Sequence, residues 1–430
     1  FSKNPMDLTI AEAAYLAAIP KAPTYYSPYG KNRELTDARK DLVLSEMFKQ
    51  ERITEEEYNT AKAEVVEFLP QSRFSIKAPH FVFYVREYLE QKYGADVVES
   101  GGLRVITTLD YDLQQKAEEV VYKHAIENEE LWNASNAGLV AMDPKTGEIL
   151  TMVGSRNYFD EEIDGKYNIA TAKRQPGSSF KPFIYVTAMM KGFTPNSVLF
   201  DTKTEFQTTC NPQGRAISGG QGDCYSPSNY DDVYKGPVTL RQALGESRNI
   251  PAVKLLYLTT INDALKTAKN MGIKTLSDAN QYGLTLVLGG GEVTLLDMTS
   301  AYSVFATEGV RHEPVSILRV EDSNGNVLEE HKASGGQVVI EANSARIISD
   351  MLKDNEARTP LFGANSFLNF GSTDVAGKTG TTNNNKDAWM MGYTPNIVVG
   401  VWSGNNDNTQ KKKGSAISGR LWREFMDFAL

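Results

Sequence analysis

Two pairs of alternating apolar segments, far apart in the chain, most constrain what it can fold into. Leu139 to Met142 and Ile149 to Val153 flank Asp143-Pro144-Lys145-Thr146-Gly147, a run of turn formers that reads as a hairpin. Ala388 to Tyr393 and Ile397 to Trp402 repeat the pattern around Thr394-Pro395-Asn396 near the C-terminus. Between the pairs, helices alternate with loops to about Leu352. A sheet built from the first and last strands, with helices between, implies an α+β domain.

The N-terminal segment reads as helical. Thr9 with Glu12 makes a capping box ahead of an Ala-rich run that Pro20 stops, a second helix passes through Asp41 to Met47, and Thr54 with Glu57 caps a third. The pattern loosens into a linker over Phe68 to Ser75. Next comes a small joining module, with a helix near Val85 to Tyr93, a strand at Leu103 to Leu109 and a helix from Leu113. The predicted division is 1–70 helical, 71–134 joining module, 135–430 main domain.

A net charge of -9 and a pI near 5.2 supply no field for a phosphate backbone, which argues against a nucleic-acid partner. Lys411, Lys412 and Lys413 read as a solvated turn. The sequence contains no apolar stretch of the ~20 residues that span a bilayer, and no signal peptide. It opens at Phe1 without a methionine, and an upstream segment with a membrane anchor is expected. Cys210 and Cys224 have no histidine nearby and no zinc spacing, so no metal site is expected. They are either a loop-closing disulfide, if the domain lies outside the cytoplasm, or two free thiols.

The segment Arg174-Gln175-Pro176-Gly177-Ser178-Ser179-Phe180-Lys181 breaks the chain at Pro-Gly and predicts a helix from Ser178 past Met190. The i,i+3 spacing puts the Ser178 hydroxyl and the Lys181 amine on one face, within reach of each other. A serine attacks a carbonyl only when a base takes its proton, and a lysine is that base only if desolvation or a nearby cation holds it neutral. A helix start also offers free N–H groups and a positive dipole end to an oxyanion. Alone the pair is weak evidence, because a chain this long shows about two S-x-x-K matches by accident and Ser178 could be a simple N-cap.

Ser247-Arg248-Asn249 follows 69 positions after Ser178. Its serine can pass a proton to a leaving amine while the Asn249 amide holds a substrate carbonyl; the bland alternative is a polar helix end before Pro251. Lys378-Thr379-Gly380-Thr381 comes 131 positions further on. A strand of such small residues lets a peptide lie alongside, while Lys378, Thr379 and Thr381 bind a terminal carboxylate. Lys145-Thr146-Gly147 has the same three letters and reads as a mere hairpin turn. Order and spacing, S-x-x-K then S-x-N then K-T-G, carry the argument; the trio is shared by β-lactamases and penicillin-binding proteins.

The chain therefore resembles a class A penicillin-binding protein. Pro79-His80-Phe81-Val82 and Thr107-Thr108-Leu109-Asp110 resemble that family's interdomain linker. Asp387-Ala388-Trp389 and Gly392-Tyr393-Thr394-Pro395 resemble the stretch after its K-T-G strand. Leu8 to Ala14, Pro20-Lys21-Ala22-Pro23 and Arg39-Lys40 resemble the end of its glycosyltransferase domain, whose catalytic glutamates belong upstream. The resemblance implies a DD-transpeptidase, part of a bifunctional enzyme anchored in the cell membrane with its catalytic domains outside. Its ligands would be peptidoglycan stem peptides ending in D-Ala-D-Ala and β-lactams, it would need no cofactor, and other cell-wall synthesis proteins would be partners. By motif position, Ser178 is the nucleophile, Lys181 the base, Ser247 the proton relay and Asn249 the donor's orienting group. Lys378, Thr379, Gly380 and Thr381 bind the carboxylate end, and the N–H groups of Ser178 and Thr381 form the oxyanion hole. Arg248 departs from the S-D-N form, with little loss of chemistry expected.

Three rival readings are weaker. A Ser-His-Asp hydrolase needs a histidine, and His80, His124, His312 and His331 lie far in sequence from Ser178. A β-lactamase needs a carboxylate after or beside the S-x-N motif, and Glu129-Glu130 precedes Ser178. The intact Ser, Lys, Asn and Lys positions argue against a dead scaffold, while a penicilloyl-serine sensor would show very slow turnover of a thioester D-Ala donor with rapid, stable acylation by penicillin. Gly289-Gly290-Gly291 lacks the Lys-Ser or Lys-Thr of a phosphate loop and reads as a turn before a helix near Thr294.

Overall fold

Both predicted capping boxes form, with the hydroxyls of Thr9 and Thr54 accepting from the backbones of Glu12 and Glu57. They start helices α1 (Ile10–Ala18) and α3 (Glu55–Ala63), with α2 (Arg33–Lys49) between them. Pro20 sits in a 3-10 turn, Ile19–Lys21, that ends α1. The apolar faces of the three meet through Ala11, Ala14, Tyr15, Leu44 and Ala61. These belong to the smaller of two units in the computed structural model, Phe1–Lys77; the larger is Ala78–Leu430. The structure describes residues 1, 3–23, 25–69, 76–217, 224–276, 278–333 and 335–430. Most of the linker expected at Phe68 to Ser75 lies outside them.

The larger unit opens with α4 (Pro79–Tyr93), α5 (Ala95–Ser100), β1 (Arg104–Thr107) and α6 (Tyr111–Trp132). The hairpin β2 (Asn136–Met142) and β3 (Ile149–Val153) follows, then α7 (Lys181–Met190). Next are β4 (Val198–Asp201), β5 (Gly236–Thr239), α8 (Leu240–Gly245), α9 (Asn249–Thr259), α10 (Ile261–Asn270) and α11 (Leu295–Ala306). Four short strands come after: β6 (Val310–Arg311), β7 (Ile317–Glu321), β8 (Val327–Glu330) and β9 (Gln337–Val338). Helices α12 (Ala342–Lys353) and α13 (Asn355–Phe362) lead to β10 (Ala376–Thr381), β11 (Asp387–Tyr393), β12 (Val398–Gly404) and the last helix, α14 (Ala416–Ala429).

The main sheet has the order β10-β11-β12-β2-β3, antiparallel throughout, and joins the first strands to the last as the sequence predicts. Val401 pairs with Leu139 and Val399 with Ala141. Side chains alternate between faces: Leu139 and Ala141 pack with α6 and α14, Val140 and Met142 with α7 and α11. Both faces are covered, which is why these strands read as nearly unbroken apolar runs. β10 has only β11 as a neighbour and forms one edge.

Several expectations are corrected. The stretch up to Leu352 holds short strands as well as helices: β4 pairs with β5, β6 with β9, and β7 with both β1 and β8. At two to five residues each, they are too short for alternation to register. The helix after Ser178 begins as a 3-10 turn, Gly177–Phe180, and ends at Met190 rather than past it, just before Gly192 at φ +89°. Lys411 is not solvated: it is 3% exposed and donates to the Lys413 carbonyl at 2.7 Å, while Lys413 lies over the Trp132 ring at 4.2 Å. The Lys411 backbone N–H donates to the Asn385 carbonyl at 3.1 Å, a partner 26 positions earlier that no local pattern encodes. Cys210 and Cys224 are bonded, with Cα atoms 5.7 Å apart.

Candidate active site

Glycines let three segments meet at Ser178. A Cβ on Gly177, at φ +56°, would lie 2.4 Å from the Thr381 carbonyl, and one on Gly380 would lie 2.3 Å from the Pro176 carbonyl. A Cβ on Gly289 would come within 2.1 Å of the Gly177 nitrogen. The 3-10 turn therefore seats its backbone against β10 and the Gly289 loop at distances no side chain permits. The Trp389 indole on β11 donates to the Gln175 carbonyl at 2.8 Å, and the buried Tyr302 hydroxyl of α11 donates to the Ser179 carbonyl at 2.6 Å. The turn is thus pinned from the sheet and from the helical side.

Ser178 lines a cleft of about 450 Å³ together with Ser247, Asn249, Thr379 and Thr381. Thr379 and Thr381, two apart on β10, share one face. No carboxylate and none of the four histidines lines this cleft among the described residues. Glu129 lines a different one.

Lys181 is fully buried at the start of α7. Its Nζ donates to the Ser247 carbonyl at 2.7 Å and to Asn249 Oδ1 at 2.9 Å, with Ser247 Oγ at 3.4 Å. Asn249 Nδ2 donates to the Ser228 carbonyl at 2.8 Å, which fixes the amide so that its oxygen faces the lysine. Burial, then the charges of Lys378 and Arg248, hold the Lys181 amine well below its ordinary range. A neutral amine has two N–H groups. In the neutral form both would be spent on the Ser247 and Asn249 oxygens, leaving a lone pair free. Among the described residues no hydrogen bond joins Lys181 to Ser178, so the direct contact allowed by their spacing is not made.

Lys378 is 4% exposed, and its Nζ donates to Ser247 Oγ at 2.8 Å and to the Thr379 carbonyl at 2.9 Å. Burial pushes it down to about 7. Ser247 accepts from Lys378 and retains a hydrogen to offer Lys181, so the two lysines bracket one hydroxyl. Ser247 sits at φ +53°, in the left-handed region, in the break between α8 and α9. That conformation turns its carbonyl and its hydroxyl toward Lys181.

Residues 137–427 match the penicillin binding protein transpeptidase domain. The chain belongs to the penicillin-binding protein transpeptidase family. Residues 1–48 match the transglycosylase family, so the two matches stand in the order of the class A penicillin-binding proteins. The chain is similar to penicillin-binding protein 2D of Bacillus subtilis, 34% identical across 100% of this chain and 60% of the relative. It is 29% identical to penicillin-binding protein 1A of Aquifex aeolicus, across 99% of this chain and 67% of that one. It spans about 60% of the length of the Bacillus relative. Among solved structures, penicillin-binding protein 1A from Haemophilus influenzae matches with a TM-score of 0.81 at 24% identity, over 100% of this chain and 81% of that one. PonA1 from Mycobacterium tuberculosis in complex with penicillin V matches with 0.68 at 25%, over 82% and 94%.

Family motifs do not name everything around this cleft. Asn229 accepts from the Asn249 backbone at 2.8 Å and donates to Asp201 at 2.7 Å, joining the loop after β4 to the start of α9. Arg248, 1% exposed, points away from the lysines: its Nε donates to Asp201 at 2.9 Å, its Nη1 to Asp231 at 2.7 Å, and it also binds the Val233 carbonyl. The departure from S-D-N is thus a clamp on the loop that carries Ser228, Asn229 and Tyr230. The only sequence signal for it is the polar run Ser226-Pro227-Ser228-Asn229-Tyr230 beside a pair of aspartates.

Proposed function

We propose that the larger unit is a serine DD-transpeptidase that forms an acyl-enzyme on Ser178 with peptidoglycan stems ending in D-Ala-D-Ala. Neutral Lys181 takes the hydroxyl proton as Ser178 attacks the penultimate carbonyl. The N–H groups of Ser178 and Thr381 receive the oxyanion, and Ser247 relays the proton to the departing D-alanine. Asn249 orients the donor, which lies along the free edge of β10, and Lys378 with Thr379, Gly380 and Thr381 holds its carboxylate. An amine from a second stem then takes the acyl group. The observation that carries this reading is the convergence of two buried lysine amines on Ser247, beside a cleft that Ser178 lines.

The transglycosylase match at residues 1–48 supports a parent enzyme that also polymerises glycan, with catalytic residues upstream of this chain; the division 1–70, 71–134 and 135–430 is proposed with it. The disulfide supports a position outside the cytoplasm, with the parent anchored in the cell membrane. Among the described residues, no helix is long and apolar enough to cross a membrane. Cell-wall synthesis proteins are the proposed partners.

Labelling with a fluorescent penicillin tests the reading. The parent chain should label covalently, Ser178→Ala should abolish the label, and Lys181→Ala should slow it by about a thousandfold or more. A label that survives Ser178→Ala overturns the assignment.

A further inference from the structure

The nucleophile cleft has a neighbour. A second cleft, of about 550 Å³, shares Ser228, Asn249 and Leu288 with the first and adds Gln175, Tyr225 and Thr285. It reaches close to the nucleophile: Gln175 lies three positions before Ser178, and Gly289, also in its wall, packs against Gly177. No residue of β10 lines it, whereas the first cleft runs along β10 through Thr379 and Thr381 to Thr382 and Asn385 beyond. The proposed donor is therefore accommodated without the second cleft. Asn249, which accepts from Lys181, stands on the partition.

The chemistry of the walls is also distinct. Among the described residues, no charged side chain lines the second cleft. The Tyr225 hydroxyl is buried without a hydrogen-bond partner among the described residues, and burial pushes it up to about 12, so it keeps its proton as a donor. Tyr225 follows Cys224 directly, and its backbone N–H donates to Glu205 at 2.7 Å, so the disulfide and this bond hold its place.

We propose that the second cleft is the subsite for the acceptor, the amine-bearing peptide stem that takes the acyl group from Ser178. The inference rests on the acyl-transfer reading above. The acceptor nitrogen attacks the ester carbonyl, forming the new amide bond as the bond to Ser178 Oγ breaks. One amine proton passes to neutral Lys181 and is returned to the serine oxygen, so no further reactant is needed. A neutral wall suits this step. A carboxylate there would hold the incoming amine as an unreactive ammonium, while an amide, hydroxyls and a phenol can bind peptide groups without raising its basicity.

Thr285→Trp fills the cleft from an exposed position, and Tyr225→Phe removes one hydroxyl. Fluorescent penicillin reads the donor half-reaction. The acyl-enzyme from a D-alanyl thioester, offered a tripeptide with a free side-chain amine, reads the partition between transfer and hydrolysis. Penicillin acylation should stay within about twofold of the parent in both variants, while the transfer-to-hydrolysis ratio falls about tenfold or more in Thr285→Trp and about threefold in Tyr225→Phe. An unchanged ratio overturns the proposal. So does a raised KM for the thioester with an unchanged ratio, which would place donor residues in the cleft. A parent chain that penicillin does not acylate overturns the underlying reading as well, and is distinguishable because the label itself is absent.

Discussion

Lys145-Thr146-Gly147 and Lys378-Thr379-Gly380 are the same tripeptide in two settings. The first lies in the turn between β2 and β3, where Gly147 adopts φ +80° and exposed Lys145 reaches Asn396 Oδ1 at 2.7 Å. The second runs along the edge strand, where Gly380 meets the Pro176 carbonyl and Lys378 is buried against Ser247. The first amine stands at the surface. Exclusion of solvent around the other pulls its proton affinity down to about 7 and aims it at a hydroxyl shared with a second lysine. Desolvation and neighbours, not residue identity, create the chemistry.

The comparison is most exposed to failure at the lysines. Lys378→Ala should lower the rate constant of penicillin acylation by about a hundredfold or more, and Lys145→Ala should leave it within about twofold. Equal losses would show that burial does not separate the two copies. A pH profile sharpens the test. Acylation should rise as Lys181 loses its proton and fall as pH climbs through about 7, where Lys378 sheds the charge proposed to bind a carboxylate. Lys378→Gln should lose the falling limb, and Lys145→Gln should keep it.

The glycines give the next largest contrast. A Cβ on Gly147 would lie 2.2 Å from the Glu313 carbonyl, and one on Gly380 2.3 Å from the Pro176 carbonyl. Alanine at either should cost roughly 2–4 kcal/mol in urea unfolding. Only Gly380→Ala should also slow acylation, by about tenfold, because Pro176 leads into the Ser178 turn. A comparable slowing in Gly147→Ala would break the distinction.

The smallest effect is on stability. Between pH 7 and its ordinary range, Lys378 has shed a proton in the folded state that the unfolded chain still binds. Its burial therefore costs stability in full below about pH 7, and the cost fades as pH rises toward 10.5. Lys378→Met should be roughly 1–3 kcal/mol more stable than the parent at pH 7, after the loss of its two hydrogen bonds, with the gain shrinking toward pH 9. Exposed Lys145 has no burial cost of this kind to relieve.

Much of this was legible before any coordinates. The two capping boxes, the hairpin at Asp143 to Gly147 and the strand pair around Thr394 to Asn396 follow from short-range pattern, since turn formers, caps and alternation act within a few residues; that the first and last strands share a sheet was expected, but which of them pair was not. Ser178, Lys181, Ser247, Asn249 and Lys378 were named by order and spacing, and the structure brings them around one cleft. The short strands β4 to β9 were not legible, because their pairings lie in partners rather than in periodicity. Nor were Asn229, the Arg248 clamp or the left-handed turn at Ser247.

The sequence by itself determined which groups can act: a hydroxyl, two amines and an amide at intervals that a helix start, a helix break and a strand can present. Only the tertiary structure decided which Lys-Thr-Gly is buried, that Lys181 faces Ser247 and Asn249 rather than Ser178, and that a second cleft lies across Asn249. The reason is physical. Covalent order sets what is nearby along the chain, whereas desolvation and charge coupling depend on what packs from far away, and these set the state of every proton the site must move.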